Sequence, residues 1–156
     1  MLTIRKLVKI YPGGAPALQG VDLAIPAGMF GLLGPNGAGK STLIKLLAGL
    51  LRPSRGQCSI HGNPPVKSAL ARSRIGYCPE HDGAYDELSA LEFVTFMAEM
   101  SGVPRSKSAE VAAGALDAMG MAEAQHRRIK GFSKGMRQRT KLAQAIAHEP
   151  DVLLLD

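Results

Sequence analysis

Residues 34 to 41 read GPNGAGKS and match the spacing G-x-x-x-x-G-K-[ST]. Those residue types suit one chemistry, the capture of a phosphorylated ligand. Glycines let successive backbone N–H groups turn inward on an anion, and a helix opening behind them adds its partial positive charge. Gly34, Pro35, Asn36, Gly37, Ala38 and Gly39 would form the loop. Lys40 would hold the β- and γ-phosphates of a nucleotide as a point charge, and the Ser41 hydroxyl, followed by Thr42, would ligate Mg²⁺. The rival reading is a glycine-rich turn that happens to precede a helix, and context decides between them. MFGLL (29–33) reads as a short apolar strand before the loop. After it, Leu43, Ile44, Leu46, Leu47, Leu50 and Leu51 recur at helical spacing until Pro53.

A second chemical residue closes the sequence. HEPDVLLLD (148–156) has the look of a buried parallel strand that delivers the Asp156 carboxylate to a sheet edge. Beside a phosphate loop this is the Walker B arrangement, in which the carboxylate reaches the nucleotide Mg²⁺, usually through water. Alone, Asp156 says little, since any parallel strand can end in Asp; with GPNGAGKS it says much more.

The remaining segments supply the scaffold. Leu2, Ile4 and Val8–Ile10 form a β-prone opening, VDLAI (21–25) alternates, and GQCSIHGNPP and RIGYCP offer two further short strands. SALE (89–92) is a capping box, with Leu91, Val94, Phe96 and Met97 as an expected apolar stripe behind it. A helix over 108–119 is expected to end at Gly120, and Ser133 to open a third, with Met136, Leu142, Ala143 and Ile146 apolar and Pro150 as its boundary.

Composition bounds the possibilities. The 156 residues, 46% hydrophobic and 21% charged, suit one globular domain, and with four Phe, three Tyr and no Trp the aliphatics must carry the packing. Cys58 and Cys78 are too few for a disulfide scaffold and read as reduced core thiols. Neither a signal-type leader nor a run of ~20 apolar residues is visible, so a soluble chain is expected.

GPNGAGKST, the serine-led FSKGMRQR (132–139) and AQAIAHEPDVLLLD directly after it resemble, in that order and over essentially the whole chain, the nucleotide-binding domain of ABC transporters. FSKGM aligns with that family's LSGGQ signature and keeps Ser133 and Gly135; the SKGMRQR form is most similar to ATPase subunits of bacterial exporters. The resemblance implies an α/β P-loop NTPase fold with a β-rich N-terminal part and a helical insert, incomplete at its C-terminal end. Residues 1–79 and 133–156 would be the catalytic core and 80–132 the helical subdomain. It implies ATP and Mg²⁺ as ligands and a head-to-tail dimer in which Ser133 and Gly135 meet the ATP of the opposite subunit. It also implies a transmembrane permease as partner, with the chain cytoplasmic and peripheral at the inner face of the plasma membrane. Tyr11, 23 residues before Gly34, falls where the family stacks an aromatic on adenine; a tyrosine packed at a strand end is the rival reading. Glu80 stands where the family has the Q-loop glutamine, so metal contact through a carboxylate survives while amide donation does not.

Charge is segregated: 75–104 carries Glu80, Asp82, Asp86, Glu87, Glu92 and Glu99 with no Lys or Arg, whereas 127–141 carries seven basic residues and no acid. The basic run has no aromatic besides Phe132 and coincides with the signature helix, so no nucleic-acid partner is expected. The acidic run is expected to receive a basic coupling segment of the permease. In the family a glutamate follows the Walker B aspartate and polarises the attacking water, and a later strand lies between the Walker B and phosphate-loop strands. No residue follows Asp156, so these 156 residues are expected to hydrolyse ATP poorly and to leave unpaired backbone in the sheet. A non-hydrolytic nucleotide-binding fragment is therefore one alternative. A soluble non-transport ABC ATPase is another, though the tandem domains or long insertions usual there are not seen.

Overall fold

Leu2, Ile4 and Leu7 are spaced for one face of a strand only if an extra residue intervenes, and that is what the chain does. In a computed structural model, which describes residues 1–80 and 85–156, strand β1 (Leu2–Ile10) carries a bulge between Ile4 and Leu7. Lys6 sits there with a φ of 46° and donates its N–H to the Asp22 carboxylate at 2.9 Å. The bulge returns Leu7 to the buried side. β1 is the centre of an antiparallel three-stranded sheet, between β2 (Pro16–Ile25) and β3 (Arg55–Ile60). Helix α1 (Lys40–Leu47) packs against β2 and β3, burying Leu43, Ile44, Leu46 and Leu47.

Two expectations need correction here. MFGLL is not a strand: no strand pairs with 29–33 among the described residues, and Met29 and Leu33 are 98% and 97% exposed. Apolar composition favours a strand only where a neighbour accepts its backbone hydrogen bonds, and this segment has none. The helix behind the loop also stops before Leu50. Gly49 takes a φ of 75°, and Leu50 N–H turns back to the Lys45 carbonyl at 2.9 Å, so the last two leucines lie past the helix end.

The chain divides into two compact units, Met1–Arg72 with Asp156, and Ser73–Leu155. A short helix, α2 (Ala69–Arg72), closes the first. In the second, β4 (Ile75–Cys78) pairs in parallel with β5 (Val152–Leu155), and helices α3 (Ala90–Met100), α4 (Arg105–Ala118) and α5 (Lys134–Ile146) pack on one another. Their core is Phe93, Val94, Leu116, Met121, Ile129 and Phe132 with several alanines. Small side chains let the helices approach closely.

The capping box forms as read: Ser89 Oγ accepts from Glu92 N–H at 3.2 Å, and the Glu92 carboxylate accepts from Ser89 N–H at 2.8 Å. The stripe behind it is displaced, because Phe93 rather than Phe96 enters the core; Phe96 is 43% exposed and meets Tyr85 edge-on. Gly120, with a φ of 66°, follows α4, and Ser133 caps α5. The α5 reading also shifts: Ala143 is buried as expected, but Thr140, Lys141 and Gln144 are buried beside it. β5 has Leu154 buried while Leu153 and Leu155 are exposed. A parallel strand is covered on both faces only where layers flank it on both sides.

Both thiols are buried and free of any disulfide, as the sequence indicated. The charge segregation has an internal use that the sequence reading missed. Asp86 pairs with Arg137, and Glu87 pairs with Arg128 at 3.2 Å and Lys130 at 3.5 Å. Asp86 and Glu87 thus make ion pairs within the chain while staying more than half exposed; Asp82 lies outside the described residues. No helix among the described residues is long and apolar enough to cross a membrane.

Candidate functional site

The loop and its lysine form a closed turn. Gly34, Gly37 and Gly39 have positive φ values of 153°, 84° and 89°, and Gly39 leads directly into α1. At Gly39 the need for glycine is double. A β carbon there would lie 2.5 Å from the Ala17 carbonyl oxygen, and the left-handed conformation disfavours any side chain. Lys40 Nζ folds back and donates to the carbonyls of Gly34 and Pro35, both at 2.8 Å, which gathers the loop around an ammonium. The first N–H groups of α1 have no intrahelical acceptor and no acidic residue stands in the first turn, so this helix end keeps its attraction for an anion.

Tyr11 lies at the same place. Its hydroxyl is 3.3 Å from Thr42 Oγ1 on the first turn of α1, and Lys9 Nζ sits 5.4 Å from the ring centroid. Lys9 was not singled out by the sequence, because a lone lysine near a strand end carries no spacing signal. Asp156 groups with this first unit although it follows β5. Ser41 and Asp156 offer oxygen donors, the chemistry that Mg²⁺ takes when phosphate and water complete its shell. No cluster of three or more His, Cys, Asp or Glu side chains that could hold a metal ion is present among the described residues.

Ser133, Gly135 and Glu80 belong to the second unit. Ser133 Oγ accepts from Met136 N–H at 3.3 Å, and its own hydroxyl proton remains available as a donor. A β carbon at Gly135 would meet nothing within 4 Å among the described residues, so none of them calls for glycine in that first turn. Glu80 is exposed just past β4, and its main chain is held from α5.

The contact between α5 and β4 is polar in a regular way. Val152 N–H donates to the Arg74 carbonyl, so the Ile75 and Tyr77 carbonyls point to the opposite edge of β4. There α5 and the turn after it supply donors: His148 Nε2, just past the helix end, lies 3.1 Å from Ile75 O, Gln144 Nε2 2.8 Å from Tyr77 O, and Lys141 Nζ 2.9 Å from Pro79 O. The helix can come this close because residue 76 is glycine; a β carbon there would strike the Ala145 carbonyl. Lys141 also lies by Cys78, whose thiol burial pushes up in pKa and the lysine charge pulls partly back. Apolar periodicity could not reveal this face, although Arg137, Lys141, Gln144 and His148 stand at helical spacing.

An α/β scaffold whose glycine-rich loop opens a helix onto a lysine defines a P-loop protein. The chain belongs to the ABC transporter family, whose family model matches residues 18–156. It is 41% identical over 157 residues to the ABC transporter ATP-binding protein YxlF of Bacillus subtilis, covering 100% of this chain and 52% of that protein. It is 39% identical over 152 residues to the daunorubicin/doxorubicin resistance ATP-binding protein DrrA of Streptomyces peucetius, covering 96% and 46%. The chain spans about half the length of these curated relatives. The ATP-binding cassette MJ0796, solved as a dimer in a post-hydrolysis state with ADP and Pi, superposes with a TM-score of 0.89 at 25% identity, over 100% of this chain and 73% of that one.

Proposed function

We propose that the protein is the ATP-binding and ATP-hydrolysing subunit of an ABC-type membrane exporter, which couples ATP-driven dimerisation to transport. The observation that carries the reading is the loop itself: three glycines at positive φ, a helix N-terminus without acids, and Lys40 drawn over the loop. Gly34–Gly39 and Lys40 then bind the phosphates, Ser41 with Thr42 and Asp156 serves the Mg²⁺, and Tyr11 stacks on adenine. Glu80 is a further metal ligand, its carboxylate standing in for the family's amide. When bound, Mg²⁺ neutralises charge on the phosphates during in-line attack by water.

Ser133 and Gly135 serve the opposite subunit of a head-to-tail dimer. Support comes from Gly135 in the first turn of α5, where no described residue crowds the position and the bare backbone leaves room for close approach by a ligand or partner. Residues 1–79 and 133–156 form the catalytic core and 80–132 the helical subdomain. Export is supported by the SKGMRQR form and by likeness to DrrA, a protein named for drug resistance. The membrane partner is a permease, and the subunit lies at the cytoplasmic face of the membrane.

A titration with a fluorescent ATP analogue tests the reading. Lys40→Ala is expected to weaken Mg²⁺-ATP binding severely, because it removes the side-chain cation that the loop gathers. Equal affinity of mutant and wild type would sink the assignment.

A further inference from the structure

Lys141 is 3% exposed, and its ammonium donates to the Pro79 carbonyl at 2.9 Å and the Glu80 carbonyl at 3.3 Å. A buried ammonium is costly unless its donors are matched, and an apolar residue would serve packing alone at less cost. One turn earlier, Arg137 pairs with the Asp86 carboxylate and donates to the Lys130 carbonyl at 3.3 Å. Residues i and i+4 share a helix face, so one face of α5 grips the chain at 79–80 and again at 86. His148 and Gln144, farther along, hold carbonyls within β4; Lys141 reaches past the end of the strand. The Glu80 side chain is exposed, so its aim depends on the main chain that carries it.

We propose that Lys141 is a positioning residue for Glu80. By fixing the 79–80 carbonyls to α5, it sets the place from which the Glu80 carboxylate serves the metal, and ties that place to the helix that Ser133 opens. The inference rests on the metal role proposed for Glu80.

The test measures binding of a fluorescent ATP analogue with and without Mg²⁺ for the wild-type chain, Lys141→Met, Lys141→Arg, Glu80→Ala and the Lys141→Met/Glu80→Ala double variant, with thermal melts to confirm folding. Lys141→Met is expected to weaken the Mg²⁺-dependent part of the affinity by about tenfold, the scale of losses at residues behind a metal ligand, and to leave metal-free affinity unchanged. Lys141→Arg should recover most of that loss, and Lys141→Met should add nothing in the Glu80→Ala background. Should Lys141→Met not fold, Lys141→Gln, which keeps a donor, is expected to show a smaller loss of the same Mg²⁺-dependent kind. Additive losses in the double variant, or equal losses with and without Mg²⁺, overturn the positioning role while leaving the metal role of Glu80 standing. A Glu80→Ala chain, which has no side-chain oxygen left to offer the metal, that binds as wild type does removes the metal role, and the proposal falls with it.

Discussion

Gly39 carries more of the site than its missing side chain suggests. Its left-handed turn places Lys40 at the head of α1, and its bare α carbon passes the Ala17 carbonyl. Gly39→Ala is therefore expected to lose both stability, by more than about 1 kcal/mol, and nucleotide binding. A denaturant melt beside an ATP titration checks this, and a fully stable variant would show that the close approach is not needed. Tyr11→Ala should cost only about 1 kcal/mol of ATP affinity, since it removes one stacking face and leaves the phosphates held. An effect as large as that of Lys40→Ala would mean that the Thr42 hydrogen bond, rather than the ring, is what Tyr11 supplies.

Among the elements, α3 shows how a cap becomes a pH dependence. Glu92 has its carboxyl held below the usual range by the Ser89 N–H first and the Ser89 hydroxyl second. A carboxylate with a depressed folded pKa contributes stability that is complete above its unfolded value, about 4.3, and is lost as pH falls through the folded value. Glu92→Ala should therefore be less stable than wild type at pH 7 and approach it in acid. Parallel melting curves for the two chains from pH 7 to pH 3 would contradict this. The α5–β4 contact is the other element-scale device: a helix lends side-chain donors to carbonyls on the strand edge that β5 does not use, which also blunts that edge against other chains.

For the whole molecule, the exposed apolar groups set the expected solution behaviour. Met29 and Leu33, nearly fully exposed, stand with Phe30 in a segment that has no strand partner among the described residues. Exposed apolar segments with free backbone promote association. These 156 residues are expected to self-associate as concentration rises, and Met29→Lys with Leu33→Lys to reduce it. Sedimentation velocity decides, and identical concentration dependence in both chains would acquit the segment.

GPNGAGKS, the capping box at Ser89–Glu92, the cap at Ser133 and the strand before Asp156 were all legible in the sequence. The loop and the two caps depend on residues a few positions apart, so their backbone follows from local sterics and local hydrogen bonds, whereas the strand, though read correctly, also needed β4 as its partner. Tyr11 and Glu80 needed the family pattern to be noticed. What tertiary structure alone decided involves partners far apart in the chain. Whether MFGLL forms a strand depends on a neighbour to bond with, which apolar composition does not announce. Whether Lys141 is buried depends on carbonyls some sixty residues away and on Gly76 admitting the helix. Periodicity reports which residues share a face, and only the fold reports what that face meets.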